Sequence, residues 1–152
     1  MRGVPVRPAI REDLPEIAAL IRDLAVYEEL EHEIEWTSTD LLDEHLFGPA
    51  PAASVLMATT DDGAVAGFAL FFTTFSTFLA QPGIWLEDLF VRPEHRGLGL
   101  GKALLAHLRA RTDGRVEWAV LDWNAPSIAF YDALGARPVS DWIRYRWDGG
   151  SS

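Results

Sequence analysis

The chain has 152 residues, 49% of them hydrophobic, and a formal net charge of −10. That size suits one domain with a single core, predicted over residues 1–148 and followed by a polar tail at 149–152. No apolar run approaches the roughly 18 residues of a membrane span, the opening MRGVPVRPAI has no signal-peptide core, and the absence of cysteine excludes disulfides, thiolate metal sites and an acyl-cysteine intermediate. A cytoplasmic protein without a membrane partner is expected.

Taken in order, Val4 to Val6 reads as an opening strand. Asp13 with Glu16 resembles a capping box for a helix whose stripe is Leu14, Ile17, Ala18, Ile21, Leu24 and Ala25. An acidic segment from Glu28 to Glu35 follows. Thr37 with Asp40 then starts a shorter helix that Gly48 ends. Val55 to Thr60, an Asp61-Asp62-Gly63 turn and Ala64 to Phe75 read as a hairpin, and Pro82-Gly83 as the next turn.

Ile84 to Val91 is a strand entering a glycine-rich loop. A helix from Lys102 to Thr112 and a strand from Val116 to Leu121 complete a βαβ crossover, which makes the two strands parallel. Asn124-Ala125-Pro126 begins a fourth helix that Gly135 caps, and a last strand is expected near Ile143 to Trp147. The class is mixed α/β.

Charge is split along this order. All thirteen Lys and Arg lie outside Asp23 to Val91, so the first half is acidic and the second carries Arg92, Arg96, Lys102, Arg109 and Arg111 around the glycine run. The acidic part suits a cationic partner and repels nucleic acid, whereas the basic cluster suits phosphates. The four scattered histidines show no metal-ligand spacing, so no metal is expected.

Arg96-Gly97-Leu98-Gly99-Leu100-Gly101 is the most informative segment. Alternating glycines expose backbone N–H groups, and the helix behind them directs its positive end to the same place, which suits a pyrophosphate. The dinucleotide fingerprint needs G-x-G-x-x-G in the first βαβ unit. The nucleotide P-loop needs Gly where Arg96 stands and Ser or Thr where Ala103 stands. Neither fits, and no G-x-S-x-G elbow is present.

Leu86-Glu87-Asp88-Leu89-Phe90-Val91 running into that loop resembles the acetyl-CoA motif of the GNAT acyl-CoA transferase family. Trp123-Asn124-Ala125-Pro126-Ser127-Ile128-Ala129-Phe130-Tyr131 with Gly135-Ala136 is similar to its diamine (spermidine/spermine and thialysine) acetyltransferase branch. The resemblance covers essentially the whole chain and implies a fold with a splayed central pair of parallel strands. It implies acetyl-CoA as co-substrate. The acetyl-pantetheine arm would lie along Leu89, Phe90 and Val91, the pyrophosphate on Arg96, Gly97, Leu98, Gly99, Leu100, Gly101 and Lys102, and Asn124, Ser127 and Tyr131 would bind the arm from the other side.

In the same way Tyr131 would protonate the departing thiolate. Glu87 would hold the acceptor's ammonium or relay its proton, and Tyr27, Glu28 and Asp141 would contact the acceptor. Asn124, Ser127 and Tyr131 are three and four residues apart, close to one helical face. Ala125 replaces an acid common in the branch. The expected function is direct acetyl transfer to a primary amine of a small cationic diamine or polyamine by a homodimer. An amino-acid-like amine such as thialysine, a protein amine, and a non-catalytic acyl-CoA-binding module are the alternatives.

Overall fold

The computed structural model describes residues 5–150, so Val4 lies outside them. They fall into two compact units, Met1–Ala119 and Val120–Ser152. The first contains β1 (Val6–Pro8), α1 (Leu14–Tyr27), α2 (Asp40–Phe47), β2 (Ser54–Thr59), β3 (Val65–Ser76), β4 (Gln81–Val91), α3 (Leu100–Ala110) and β5 (Val116–Trp118). The second contains α4 (Ala125–Ala133).

The strands form one sheet in the order β1-β2-β3-β4-β5. Pairing is antiparallel from β1 to β4 and parallel between β4 and β5. Alternation along each strand feeds two cores. On one face Ile17, Leu20 and Leu24 of α1 meet Val55, Met57, Phe68 and Phe90. On the other, Leu100, Leu104 and Leu108 of α3 meet Leu56, Ala69, Phe71, Ile84 and Leu86. A helix thus covers each side of β3 and β4. Burial of each such large side chain contributes roughly 1.5–3 kcal/mol.

The parallel ladder is short. It pairs Ile84 with Val116, Trp85 with Glu117 and Leu86 with Trp118, and then stops. Its start is clamped by backbone proximity: a Cβ on Gly114 would lie 2.1 Å from the Pro82 carbonyl oxygen, and one on Gly83 2.6 Å from that of Arg115. Beyond Leu86, β4 continues to Val91 with β3 on one side and, among the described residues, no strand paired on the other. The splayed parallel pair is therefore present.

Several expectations change. The opening strand begins at Val6. Asp13 does not cap α1 with its side chain; its carboxylate accepts from Arg7 at 2.7 and 2.9 Å and from the Ile10 N–H at 2.8 Å. Glu16 accepts from Arg92 at 2.7 Å. Charged donors outcompete the reciprocal backbone bonds of a capping box. Thr39, rather than Thr37, precedes α2 as its cap residue.

Pro82 and Gly83 are strand residues paired with Phe75 and Thr74. The turn falls before them and includes Ala80 at φ 51°. Gly83 is small because the chain entering β5 lies against it. The helix predicted from Lys102 starts at Leu100, because left-handed Gly99 ends the loop at that point. β5 stops at Trp118 instead of reaching Leu121, where its pairing with β4 ends at Leu86.

Ile143 to Trp147 forms no strand. The pattern alternates, but alternation by itself supplies no backbone partner, and the described residues of this segment are irregular. Asn124 does cap α4 as expected: its Oδ1 accepts from the Ser127 N–H at 3.3 Å.

Candidate active site

β4 carries the site, and one irregularity shapes it. Asp88 pairs with Leu70 while Leu86 pairs with Phe71, so Glu87 is an extra residue with no partner on β3. This is a β-bulge, which reverses the facing of everything that follows it. Leu86 faces α3, and Leu89 and Val91 also pack on that core. Asp88 and Phe90 stand opposite Leu70 and Phe68, on the face of α1. Trp85 donates from Nε1 to Oε1 of Glu87 at 2.9 Å.

The end of α1 completes an acidic group. Leu30 N–H bonds to the Ala25 carbonyl at 2.8 Å across left-handed Glu29, φ 60°, closing the helix in a Schellman-type turn. Glu28 is left half-buried. Desolvation and the charge of Glu87 raise its pKa. Burial, then the charges of Glu87 and Glu28, push the Asp88 carboxyl up to about 7. Tyr27 lies beside them, its ring 6.4 Å from that of Phe90.

Arg96 connects this face to the glycine loop. Its Nε donates to the Val91 carbonyl at 2.9 Å, and its guanidinium stands 5.3 Å from the Tyr27 ring centre and 5.5 Å from that of Phe90. The Phe90 ring is core, so only its backbone faces outward along the strand.

Gly97 and Gly99 adopt φ of 84° and 78°, with nothing within 4 Å of the position a Cβ would take. Only glycine reaches this conformation without strain. Ala103 N–H makes the first bond of α3, to the Gly99 carbonyl at 3.0 Å. Leu100, Gly101 and Lys102 therefore present N–H groups that have no acceptor within the helix. An open loop of this kind, at a helix start and beside the free edge of β4, fits a pyrophosphate with an extended arm.

The basic cluster is less concentrated than the sequence suggests. Arg92 bonds to Glu16 and the Val65 carbonyl, Arg109 to the carbonyls of Thr112 and Gly114, and Arg111 lies over the Phe71 ring. In the C-terminal unit Asn124 is buried, Ser127 and Tyr131 are half-buried, and Asp141 is exposed in an irregular segment. The Tyr131 ring lies 5.5 Å from that of Phe130. Sequence reasoning passed over Asp88. The apolar residues around it were the available signal, but the bulge that turns it toward α1 depends on pairing with β3.

The fold and site define an α/β protein with an open glycine loop at a helix start, beside the end of β4 and a group of carboxylates. The chain belongs to the acetyltransferase (GNAT) family, whose model matches residues 17–136. It is 32% identical to the thialysine N-epsilon-acetyltransferase of Bos taurus over 98% of this chain and 95% of that protein. It is 42% identical to the L-ornithine N5-acetyltransferase NATA1 of Arabidopsis thaliana, over 59% of this chain and 41% of that protein.

A third relative is the spermidine/spermine N(1)-acetyltransferase-like protein 1 of Homo sapiens, 30% identical over 94% of this chain but only 22% of that protein. The fold matches an integron cassette protein from V. cholerae with a TM-score of 0.78, 24% identity, and coverage of 97% of this chain and 94% of that one. The protein is thus an acyltransferase enzyme of mixed-sheet GNAT fold. No helix among the described residues is long and apolar enough to cross a membrane.

Proposed function

We propose that the chain acts as one domain over residues 1–148 and transfers an acetyl group from acetyl-CoA directly to a primary amine of a small cationic acceptor. The observation that carries this reading is the free edge of β4 between the glycine loop and the Glu28, Glu87, Asp88 group. A thioester arm laid along Leu89 to Val91 would have its anionic end at the loop, and the acidic face would attract the ammonium acceptor.

The co-substrate supplies the activated acyl group, and the chain's residues do the rest. Backbone groups of Leu89, Phe90 and Val91 bind the arm. Gly97, Leu98, Gly99, Leu100, Gly101 and Lys102 hold the pyrophosphate, with Arg96 at the edge of the loop, and the family resemblance assigns Asn124 and Ser127 to the arm. Tyr131 gives its phenolic proton to the thiolate as the C–S bond breaks, after the neutral nitrogen has formed the C–N bond. Glu87, Glu28, Tyr27 and Asp141 bind the acceptor.

Two acceptor classes compete. A diamine or polyamine is supported by the acidic face and by the spermidine/spermine-type relative. An amino-acid-like amine is supported by the relatives named for thialysine and ornithine. Family membership argues against a non-catalytic module. A homodimer in the cytoplasm, using no metal and binding neither nucleic acid nor membrane, belongs to the same reading, and sedimentation tests its oligomeric part. Thiol release from acetyl-CoA across diamines of increasing length and α-amino acids with side-chain amines tests the acceptor. Steep length dependence supports the diamine, and flat length dependence with good turnover of the amino acids supports the second class. No amine-dependent release would overturn the function.

A further inference from the structure

The reaction needs a proton acceptor. An alkyl ammonium with pKa near 10.4 is neutral in only about one molecule in 10³ at pH 7, and only the neutral form attacks. The structure supplies an unexpected candidate for that task. The bulge at Glu87 brings two consecutive carboxylates of one strand to the side on which α1 ends, where regular alternation would have sent them to opposite faces.

Their surroundings differ. Glu87 is exposed and receives the Trp85 indole N–H. Asp88 is half-buried opposite Leu70, and its carboxylate makes no hydrogen bond or ion pair with a described residue. The charges that act on it are those of Glu87 on its own strand and Glu28 at the end of α1. Tyr27 stands beside Glu28 on α1. Arg96 is engaged with the Val91 carbonyl and with the Tyr27 and Phe90 rings. Among the described residues no group of three acidic, His or Cys side chains is arranged to hold a metal ion. A half-buried carboxyl flanked by two other carboxylates holds its negative charge at a cost, which an arriving cation relieves.

We propose that Asp88 is the group that takes the proton from the acceptor's ammonium, while Glu87 anchors the acceptor. This rests on the acetyltransferase reading above. In the step, one ammonium proton passes to the Asp88 carboxylate and leaves a neutral amine. The nitrogen lone pair then forms the C–N bond to the thioester carbonyl. As the C–S bond breaks, the nitrogen's surplus proton balances the one Tyr131 gives to sulfur, and Asp88 releases its own to solvent. An aspartate of ordinary pKa would be a weaker base by about three powers of ten than one titrating near neutrality.

The test is the pH dependence of thiol release from acetyl-CoA with spermidine, L-ornithine and thialysine, for the wild type, Asp88→Asn, Asp88→Glu and Glu87→Gln. For the wild type, kcat/KM is expected to rise through an inflection near pH 7. Asp88→Asn lowers kcat at pH 7 by about 10²–10³ and abolishes the inflection, its residual rate climbing with pH as the amine itself deprotonates. Acceptor KM changes little, and Asp88→Glu restores part of the rate. Glu87→Gln raises acceptor KM and moves the inflection to lower pH, because a negative neighbour is gone.

An Asp88→Asn enzyme that keeps the inflection and wild-type kcat, or that changes only in KM, overturns the assignment while leaving the acetyltransferase reading intact. Absence of release by the wild type with every amine overturns that reading, and the assignment with it. Far-ultraviolet circular dichroism confirms that Asp88→Asn is folded. If it is not, Asp88→Glu decides: a displaced inflection together with a lowered kcat supports the proposal, and an unchanged inflection with wild-type kcat overturns it.

Discussion

Trp85 and Glu87 lie two residues apart on β4 and are joined side chain to side chain, indole Nε1 to carboxylate Oε1, at 2.9 Å. The bond fixes where the exposed carboxylate stands before any acceptor binds. Glu87→Gln is therefore expected to raise acceptor KM about tenfold or more. Trp85→Phe, which keeps the ring and removes the donor, should raise it by a smaller factor, since a hydrogen bond to a charged group contributes about 1.5–3 kcal/mol and water replaces part of that. Steady-state kinetics with saturating acetyl-CoA measure both, and an unchanged KM in Glu87→Gln removes it from the acceptor site.

Tyr131→Phe should lower turnover by about two to four orders of magnitude, the usual contribution of a positioned general acid. A leaving group that needs no protonation distinguishes this from a packing defect. Activity with an acetyl donor of low thiol pKa should fall much less than activity with acetyl-CoA. Full retention of turnover with acetyl-CoA would remove the assignment.

Two aspartates act on stability with opposite sign. The Arg7 side-chain bonds hold the Asp13 carboxyl below its ordinary range, so this pair contributes stability above the unfolded pKa of about 3.9 and loses it as pH falls through the folded value. Asp88 titrates near 7, well above its unfolded value. The folded state then binds the extra proton between about pH 4 and 7, stability falls as pH rises through that window, and the loss is complete above it. Asp88→Asn should accordingly raise Tm relative to the wild type at pH 8 and much less at pH 5. The difference is of order a few kcal/mol, or several degrees. Thermal denaturation at the two pH values checks it, and a difference that does not depend on pH would contradict the raised pKa of half-buried Asp88.

Gly99→Ala introduces a methyl group into open space but at φ 78°. Its cost is conformational, about 1–2 kcal/mol, and relief of that strain would tilt the first N–H groups of α3 away from their present direction. Acetyl-CoA KM should rise several-fold more than acceptor KM. Equal effects on the two would place the loop outside the co-substrate site.

Much of this was legible in the chain because it is local. The glycine run, the βαβ crossover and the Asn124 cap are set by residues within one turn or strand of each other, and of the expected stripe Ile17, Ala18, Leu24 and Ala25 are buried, with Leu20 beside them passed over. What escaped depends on partners far along the sequence. Asp13 prefers Arg7 and an upstream N–H to its own helix. Pro82 and Gly83 resemble a turn until the chain at Gly114 and Arg115 is laid against them. Ile143 to Trp147 alternates like a strand, yet alternation supplies only half of one. The facing of Asp88 is the most consequential case, because it turns on a single unpaired residue in a ladder whose other side is formed nearly twenty positions earlier.

The contacts of Gly83 and Gly114 bear on how the catalytic slot is maintained. Peptide groups touch at the mouth of the parallel pair, and three residues farther on the strands have parted. The parallel ladder thus starts at an apex made of main chain, where no side chain sets the spacing. If the proposed thioester arm lies along β4, a start fixed by main chain would divert little of its binding energy into ordering the strand.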